Sequence, residues 1–326
     1  VKRFKILSTG MAVPERVLTN HDLEQMVETS HEWIVERSGI VERHVADAST
    51  SSATLGARAL RSACERAQID PASLDGIIVA TSTADTLFPS TACWVQNELG
   101  VRGMPAFDVS AGCSGFLYAL EVGACMLAAG SGRKLAIVGC EVMSKVVDWT
   151  ERTTCVLFGD GAGAMIIEAC EQDIGLLSST WGADGSLAPI LYQPAGGSRM
   201  PATEQTVAEK LHTVKMQGNA VFKHAVRAMQ QGALEAMERA GIGADDIDLL
   251  IPHQANLRIM EACRTRLGVP QEKMFKVIDR YGNMSAASIP VALHEAREAG
   301  RMPDGSTVVF TAFGTGLTWA GAVLRT

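Results

Sequence analysis

An α/β fold built from two copies of one unit is what this chain predicts, on three observations. Helical-period and buried-strand patterns alternate along its 326 residues, the same order of patterns returns after about half the chain, and 47% hydrophobic content supplies an extensive core. Length alone suggests about two domains.

The N-terminal "VKRFKILSTGMAVPERV" has only a short apolar run before Pro14, too short for a secretion signal or a membrane span, so a cytoplasmic protein is expected. "SSATLGARALRSACERAQ" (51–68) places Leu60, Ala63, Cys64 and Ala67 on one helical face, and "IDPASLDGIIVATST" then turns into an apolar strand. "AFDVS" is a short strand, and "FLYALEVGACMLAAG" is apolar nearly all round, the mark of a buried helix. "KLAIVGCE" (134–141) is a buried strand. "FGDGAG" (158–163) suggests a phosphate-binding loop, but strand-like "AMIIEA" follows where that loop needs a helix, so a hairpin turn is expected. "YQPAGGSRMPATEQ" (192–205) is the one long loop, of the kind that borders binding sites.

The pattern then recurs. "VFKHAVRAMQQGALEAMERAG" (221–241) and "IGADDIDLLIPHQ" repeat the helix, turn and strand, with Ile242 and Asp248 lying 173 positions after Ile69 and Asp75. "STVVFTAF" (306–313) answers "KLAIVGCE", and "FGTGLTWAGAVL" closes the second half as "FGDGAGAMII" closes the first. The halves divide near Cys170 to Gly185, as 1–175 and 176–326, with mainly parallel sheets covered on both faces expected.

The 36 acidic against 29 basic residues give a net charge of -7, which argues against nucleic-acid binding through a general basic field. Eight cysteines are scattered without a C-x-x-C pair or a histidine at metal-ligand spacing, so neither a metal site nor a disulfide framework is expected. Most lie in apolar runs, where a free thiol is a small hydrophobe.

"DVSAGCSGF" (108–116) sets Cys113 between a strand and a buried helix. A helix N-terminus favours thiolate over thiol, and Gly112 and Gly115 leave room for a ligand or a sharp turn. On this segment alone, packing and nucleophilic roles stand side by side. "LLIPHQANLRI" places His253 directly after a buried strand, and "DRYGNMSAAS" places Asn283 in a turn before another apolar helix. Ligands of α/β folds bind at the carboxyl ends of strands, so Cys113, His253 and Asn283 are expected to converge.

These stretches, with "TSHEWIVERSGIVERH" near the start and "FGTGLTWAGA" near the end, resemble the 3-oxoacyl-[acyl-carrier-protein] synthase III family of the thiolase superfamily, over the full length and in order. The resemblance implies a thiolase-like five-layer αβαβα fold and a Cys113, His253, Asn283 triad. It further implies an acyl-cysteine formed from a short acyl-CoA, and decarboxylating condensation with malonyl-acyl carrier protein to start fatty acid synthesis. It implies no metal and no redox cofactor. The acyl oxyanion hole would use the backbone N–H groups of Cys113 and Thr315, and a β-branched Thr315 would be strained if its φ were positive. Thr29, Trp33, Arg37, Arg152, Gly218, Phe222, Ala255 and Asn256 correspond to the CoA and pantetheine contacts. Phe88 corresponds to a residue reaching the partner's acyl pocket, which implies a homodimer, and Leu87 and Trp94 beside it hint at a restricted pocket. Gln254, Arg258, Lys223 and Arg266 correspond to the docking surface for the acidic carrier protein. Two rivals are a related ketosynthase or acyltransferase of secondary metabolism with another starter or acceptor, and a non-catalytic acyl-CoA-binding scaffold. Retention of all three triad residues argues against the scaffold.

Overall fold

The computed structural model describes residues 1–326. Nine strands form its main sheet system: β1 (Lys2–Ala12), β2 (Gly76–Ala80), β3 (Ala106–Val109), β4 (Lys134–Val142), β5 (Asp160–Ala169), β6 (Gly175–Ala183), β7 (Leu249–Pro252), β8 (Thr307–Gly314) and β9 (Thr318–Arg325). The seven helices that matter here are α1 (His31–Ser38), α2 (Ser52–Ala67), α3 (Thr91–Leu99), α4 (Gly115–Ala128), α5 (Gly218–Ala240), α6 (Leu257–Arg266) and α7 (Ser288–Glu298). Their ends follow local chemistry. Ser30 and Ser51 cap the starts of α1 and α2 by accepting the backbone N–H of Trp33 and Thr54, and Gly39 ends α1 in the left-handed region.

Strand order is β3-β2-β4-β5-β1 in the first half and β7-β8-β9-β6 in the second, joined where Lys2 and Arg3 pair with Leu176 and Gly175. The repeat is geometric as well as sequential. Strands open at Lys2, Gly76 and Lys134, and again at Gly175, Leu249 and Thr307, 173 positions later each time. The tight turns Gly112–Ser114 and Ser285–Ala287, and the helices α4 and α7 behind them, keep the same offset.

Five layers result. α2 and α3 cover the outer face of the first sheet through a cluster containing Leu55, Leu60, Ile77 and Val138. α4 and α7 form the middle layer, in one cluster with Ile78 and Ile137 of the first sheet and Ile251 and Phe310 of the second. α5 and α6 cover the outer face of the second sheet through Val226, Met229, Met260 and Val309. Each such fully buried aliphatic side chain contributes about 1.5–3 kcal/mol relative to exposure.

The sheets are not mainly parallel, contrary to expectation. β2 runs parallel to β3 and β4, and β7 to β8, but β4–β5, β5–β1, β8–β9 and β9–β6 are antiparallel. Burial on both faces gives continuous apolar runs whatever the strand direction, and the three-residue link from Gly314 to Thr318 leaves no crossover between β8 and β9. "FGDGAG" is likewise no hairpin, since Asp160 to Gly163 already belong to β5. A Cβ at Gly163 would lie 2.6 Å from the backbone carbonyl carbon of Pro290, so this glycine lets α7 touch the strand. No helix is long and apolar enough to cross a membrane.

Candidate active site

Cys113 occupies the tight turn between β3 and α4 and is buried. Gly112 makes the turn possible. Its φ is +56°, and a Cβ there would meet the Thr315 backbone nitrogen at 2.5 Å, while one on Gly314 would meet the Cys113 nitrogen at 2.6 Å. The backbone nitrogens of Cys113 and Thr315 thus come from two abutting turns. Thr315 carries no positive φ; that conformation falls on Gly316, so the strain expected of a β-branched residue does not arise. The expected thiolate, however, is overruled in the resting protein. Burial, the dominant influence, pushes the Cys113 thiol up to about 12, against a smaller lowering by the Ser285 hydroxyl.

His253 follows β7, fully buried, with its ring edge-on to Phe313 at 6.0 Å. Burial alone lowers its pKa to about 3, so the ring is neutral, and neither ring nitrogen has a hydrogen-bond partner. Asn283 is fixed by its backbone, whose N–H donates to Leu157 O (2.9 Å) and whose carbonyl accepts from Gly159 (3.1 Å). Its Oδ1 accepts the Ser285 N–H at 2.9 Å. The side-chain amide therefore presents its NH2 group as the remaining donor, an orientation assigned from this bond.

Of the three residues, Cys113 alone lines either of the two cavities that follow. One of about 340 Å³ is lined by Cys113, Ser285, Thr315, Phe158, Leu191 and Val214 among others, and Tyr192 and Gln193 bring the predicted loop to its wall. The other, of about 570 Å³, is lined by Trp33, Arg37, Gly218, Phe222, Asn256 and Arg258, with Thr153 and Leu157. Trp33 has the Arg152 guanidinium 4.8 Å and the Arg37 guanidinium 5.9 Å from its ring centre.

Several predicted residues fall elsewhere or are otherwise engaged. Gln254 is fully buried, donating to Pro252 O and accepting the Val277 N–H, so it cannot dock a carrier protein. Neighbourhood in the motif put it with the docking residues, but the chain turns it inward. Asn256 caps α6 through the Arg258 N–H and donates to Arg37 O, which commits its side chain. Ala255 is buried, and neither it nor Thr29 lines the larger cavity, although the Thr29 hydroxyl is buried without a partner. Arg258, Lys223 and Arg266 are exposed, with the Arg258 guanidinium 5.8 Å from the Phe222 ring centre. Phe88 and Leu87 are 84% and 83% exposed, and neither they nor Trp94 line the smaller cavity, so they do not restrict it within this chain.

Sequence reading passed over Ser285 and Glu141. Signals for both were present: Ser285 sits two residues after Asn283, and Glu141 is a lone carboxylate in an otherwise apolar strand run.

Comparison with known proteins gives a consistent result. Models of the N-terminal and C-terminal parts of 3-oxoacyl-[acyl-carrier-protein] synthase III match residues 107–185 and 237–326. The chain is 50% identical to the β-ketoacyl-[acyl-carrier-protein] synthase III of Caldanaerobacter subterraneus over 98% of this chain and 97% of that one. It is also 50% identical to the enzyme of that name from Roseiflexus sp., over 97% and 96%. The crystal structure of 3-oxoacyl-[acyl-carrier-protein] synthase III from Aquifex aeolicus superposes with a TM-score of 0.92 at 43% identity, covering 99% of this chain and all of that one.

Proposed function

This chain belongs to the 3-oxoacyl-[acyl-carrier-protein] synthase III family, and from that premise we propose which residues carry its steps. It is an acyltransferase that makes the initiating condensation of fatty acid synthesis, joining a short acyl starter from acyl-CoA to malonyl-acyl carrier protein with loss of CO2. In the proposed sequence the Cys113 sulfur attacks the acyl thioester, the backbone N–H groups of Cys113 and Thr315 hold the oxyanion, and CoA leaves. Malonyl-carrier protein then binds. His253 and Asn283 donate to its thioester oxygen as CO2 departs and enolate charge develops; the resulting carbanion attacks the acyl group on Cys113, the bond from the acyl carbon to sulfur breaks with its electron pair going to sulfur, and the 3-oxoacyl-carrier protein leaves as Cys113 takes a proton to return to the thiol.

What supports this reading is a pair of free donors, one of which, Asn283, is bonded to the Ser285 that shares a cavity wall with Cys113. His253 is neutral with unpartnered ring nitrogens, and Asn283 has its carbonyl engaged and its NH2 available. A neutral ring that donates hydrogen bonds suits enolate stabilisation better than a base would.

The larger cavity is the proposed channel for the CoA and pantetheine arm, with Trp33 and Arg37 on its wall, and Arg152 near the Trp33 ring, as the platform for the nucleotide end. Arg258, Lys223 and Arg266 form the proposed docking face for the acidic carrier protein. A homodimer is proposed from the exposed Leu87 and Phe88 and from β3, an edge strand that pairs only with β2. Eight free thiols suit a reducing compartment, and the cytoplasm is the proposed one. The proposed steps call on no cofactor beyond the two substrates.

Intact-mass measurement after incubation with a panel of acyl-CoAs tests the scheme. One acyl adduct per chain is expected, absent in Cys113→Ala; an adduct of equal yield in that variant would overturn the assignment.

A further inference from the structure

An arginine that forms no ion pair lies buried under the turn that carries Asn283. Arg43, in the short strand Glu42–His44, is fully buried, and its guanidinium reaches three oxygens on two segments. Nη1 donates to Leu18 O at 3.1 Å and to Asn20 Oδ1 at 2.9 Å, Nη2 donates to Val156 O at 2.8 Å, and Nε has no partner. Burial lowers its pKa to about 10, which leaves it charged at neutral pH. A buried cation without a counter-charge is costly, and a methionine would fill similar space without that cost. What the guanidinium alone supplies is a rigid fork that holds several oxygens at fixed spacing.

The carbonyl at one tip of the fork opens a segment that borders both cavities. Val156 and Leu157 line the larger one and Phe158 the smaller. The same segment receives Asn283, whose N–H donates to Leu157 O at 2.9 Å and whose carbonyl accepts the Gly159 N–H at 3.1 Å, so that Phe158 and Asn283 form a parallel bridge. The Arg43 stem lies against both sides of this bridge. A Cβ on Gly159 would come 3.0 Å from the Arg43 Cβ, and one on Gly282 would come 3.4 Å from it. Glycine at both places lets the arginine approach the two backbones closely. The chain on either side of Asn283 is therefore tied to one strand, since the Val41 N–H also donates at 2.9 Å to Asp279 O, in the helical turn Ile278–Tyr281 just before Gly282.

We infer that Arg43 is a positioning residue for decarboxylation, setting the place of the Asn283 amide by holding the Val156–Gly159 segment to which Asn283 is bridged. Arg43 touches no substrate. It acts through the Val156 carbonyl and through its packing under Gly159 and Gly282. Acylation draws instead on the turn at Cys113 and on the Thr315 backbone, to which the guanidinium makes no bond, so the two half-reactions should respond unequally. The inference rests on the proposed role of Asn283 at the enolate oxygen.

The test compares wild type with Arg43→Lys, Arg43→Met and Asn283→Ala, and with Arg43→Lys combined with Asn283→Ala. CO2 release from malonyl-carrier protein, and adduct formation by intact mass with whichever acyl-CoA labels the wild type fastest, are measured on the same preparations and corrected for folded fraction by circular dichroism. Lysine keeps the charge and a long stem but lacks the fork, so it cannot hold Val156 O and the Leu18 and Asn20 oxygens together. Since misplacement by about 1 Å costs about 10² in rate, Arg43→Lys should slow CO2 release roughly tenfold or more while acylation stays within about threefold. In the Asn283→Ala background the same change should slow CO2 release little further, because the amide that it misplaces is gone. An arginine serving stability alone would lower both half-reactions together and add its full effect to that of Asn283→Ala. Arg43→Met should behave as Arg43→Lys does, and if it fails to fold the lysine variant decides. Wild-type CO2 release in Arg43→Lys, proportional loss of both steps, or full additivity with Asn283→Ala would overturn the positioning role alone. Unimpaired CO2 release in Asn283→Ala would overturn the reading beneath it.

Discussion

Replacing Asn283 separates the two half-reactions. In Asn283→Ala the NH2 donor proposed for the enolate oxygen is lost, and removal of one such donor costs about 2.7–4 kcal/mol, or roughly 10²–10³ in rate. The turn itself should persist, because the bonds to Leu157 and Gly159 are made by the backbone. The alanine also removes the acceptor of the Ser285 N–H, a neutral bond whose loss costs about 0.5–1.5 kcal/mol of stability. Asn283→Asp removes that complication: it keeps Oδ1 for Ser285 but replaces the donor with a negative charge facing a developing negative charge. CO2 release from malonyl-carrier protein and adduct formation by intact mass, measured on the same preparations, report the two steps. Both variants should release CO2 at least about a hundredfold more slowly while still forming the acyl adduct. An Asp variant that decarboxylates within about threefold of wild type would refute the role, as would equal loss of both steps.

Other consequences can be checked separately. His253 has a folded pKa of about 3 against 6.5 for the free ring, so between these values the unfolded chain binds a proton that the folded chain refuses. Its contribution therefore makes stability fall as pH drops from about 6.5 towards about 3, by about 1.4 kcal/mol per pH unit, and His253→Gln should remove that slope from urea unfolding midpoints; identical slopes would contradict it. Phe88→Asp should weaken the proposed dimer roughly a hundredfold or more in sedimentation, since two phenylalanines would each lose about 1.5–3 kcal/mol of burial; a wild type that sediments as a monomer would refute the dimer, and a variant as dimeric as wild type would move its interface elsewhere. Gly163→Ala should lower stability by about 1–3 kcal/mol in the same unfolding assay, because its new methyl would meet the Pro290 backbone; a neutral effect would show that α7 shifts freely.

The repeat was legible because Asp75 and Asp248, and the strands around them, keep both identity and spacing. Strand direction was not, since a run buried on both faces looks the same read either way, as β4 and β5 show. Gly163 was misread because a glycine serving a helix on the sheet's other face has the same local sequence as a glycine in a turn. Cys113, His253 and Asn283 announced themselves through strand ends and motifs. Their protonation states did not, because burial by distant segments sets them: the turn at Cys113 suggests a thiolate, and the enclosure around it yields a thiol. Gln254 shows the same limit, since adjacency to His253 says nothing of which way the chain faces.

The 173-residue spacing has one more consequence. Counted along it, the position matching Cys113 is Ala286, in the second copy of the same tight turn, and the two turns lie against each other in the middle layer. Two identical chains meeting at a two-fold axis would have to change both turns together, because a single codon specifies both. Fusion of duplicated genes lifts that restriction. One turn is then free to bear sulfur while its twin, with an alanine at the corresponding place, packs against it.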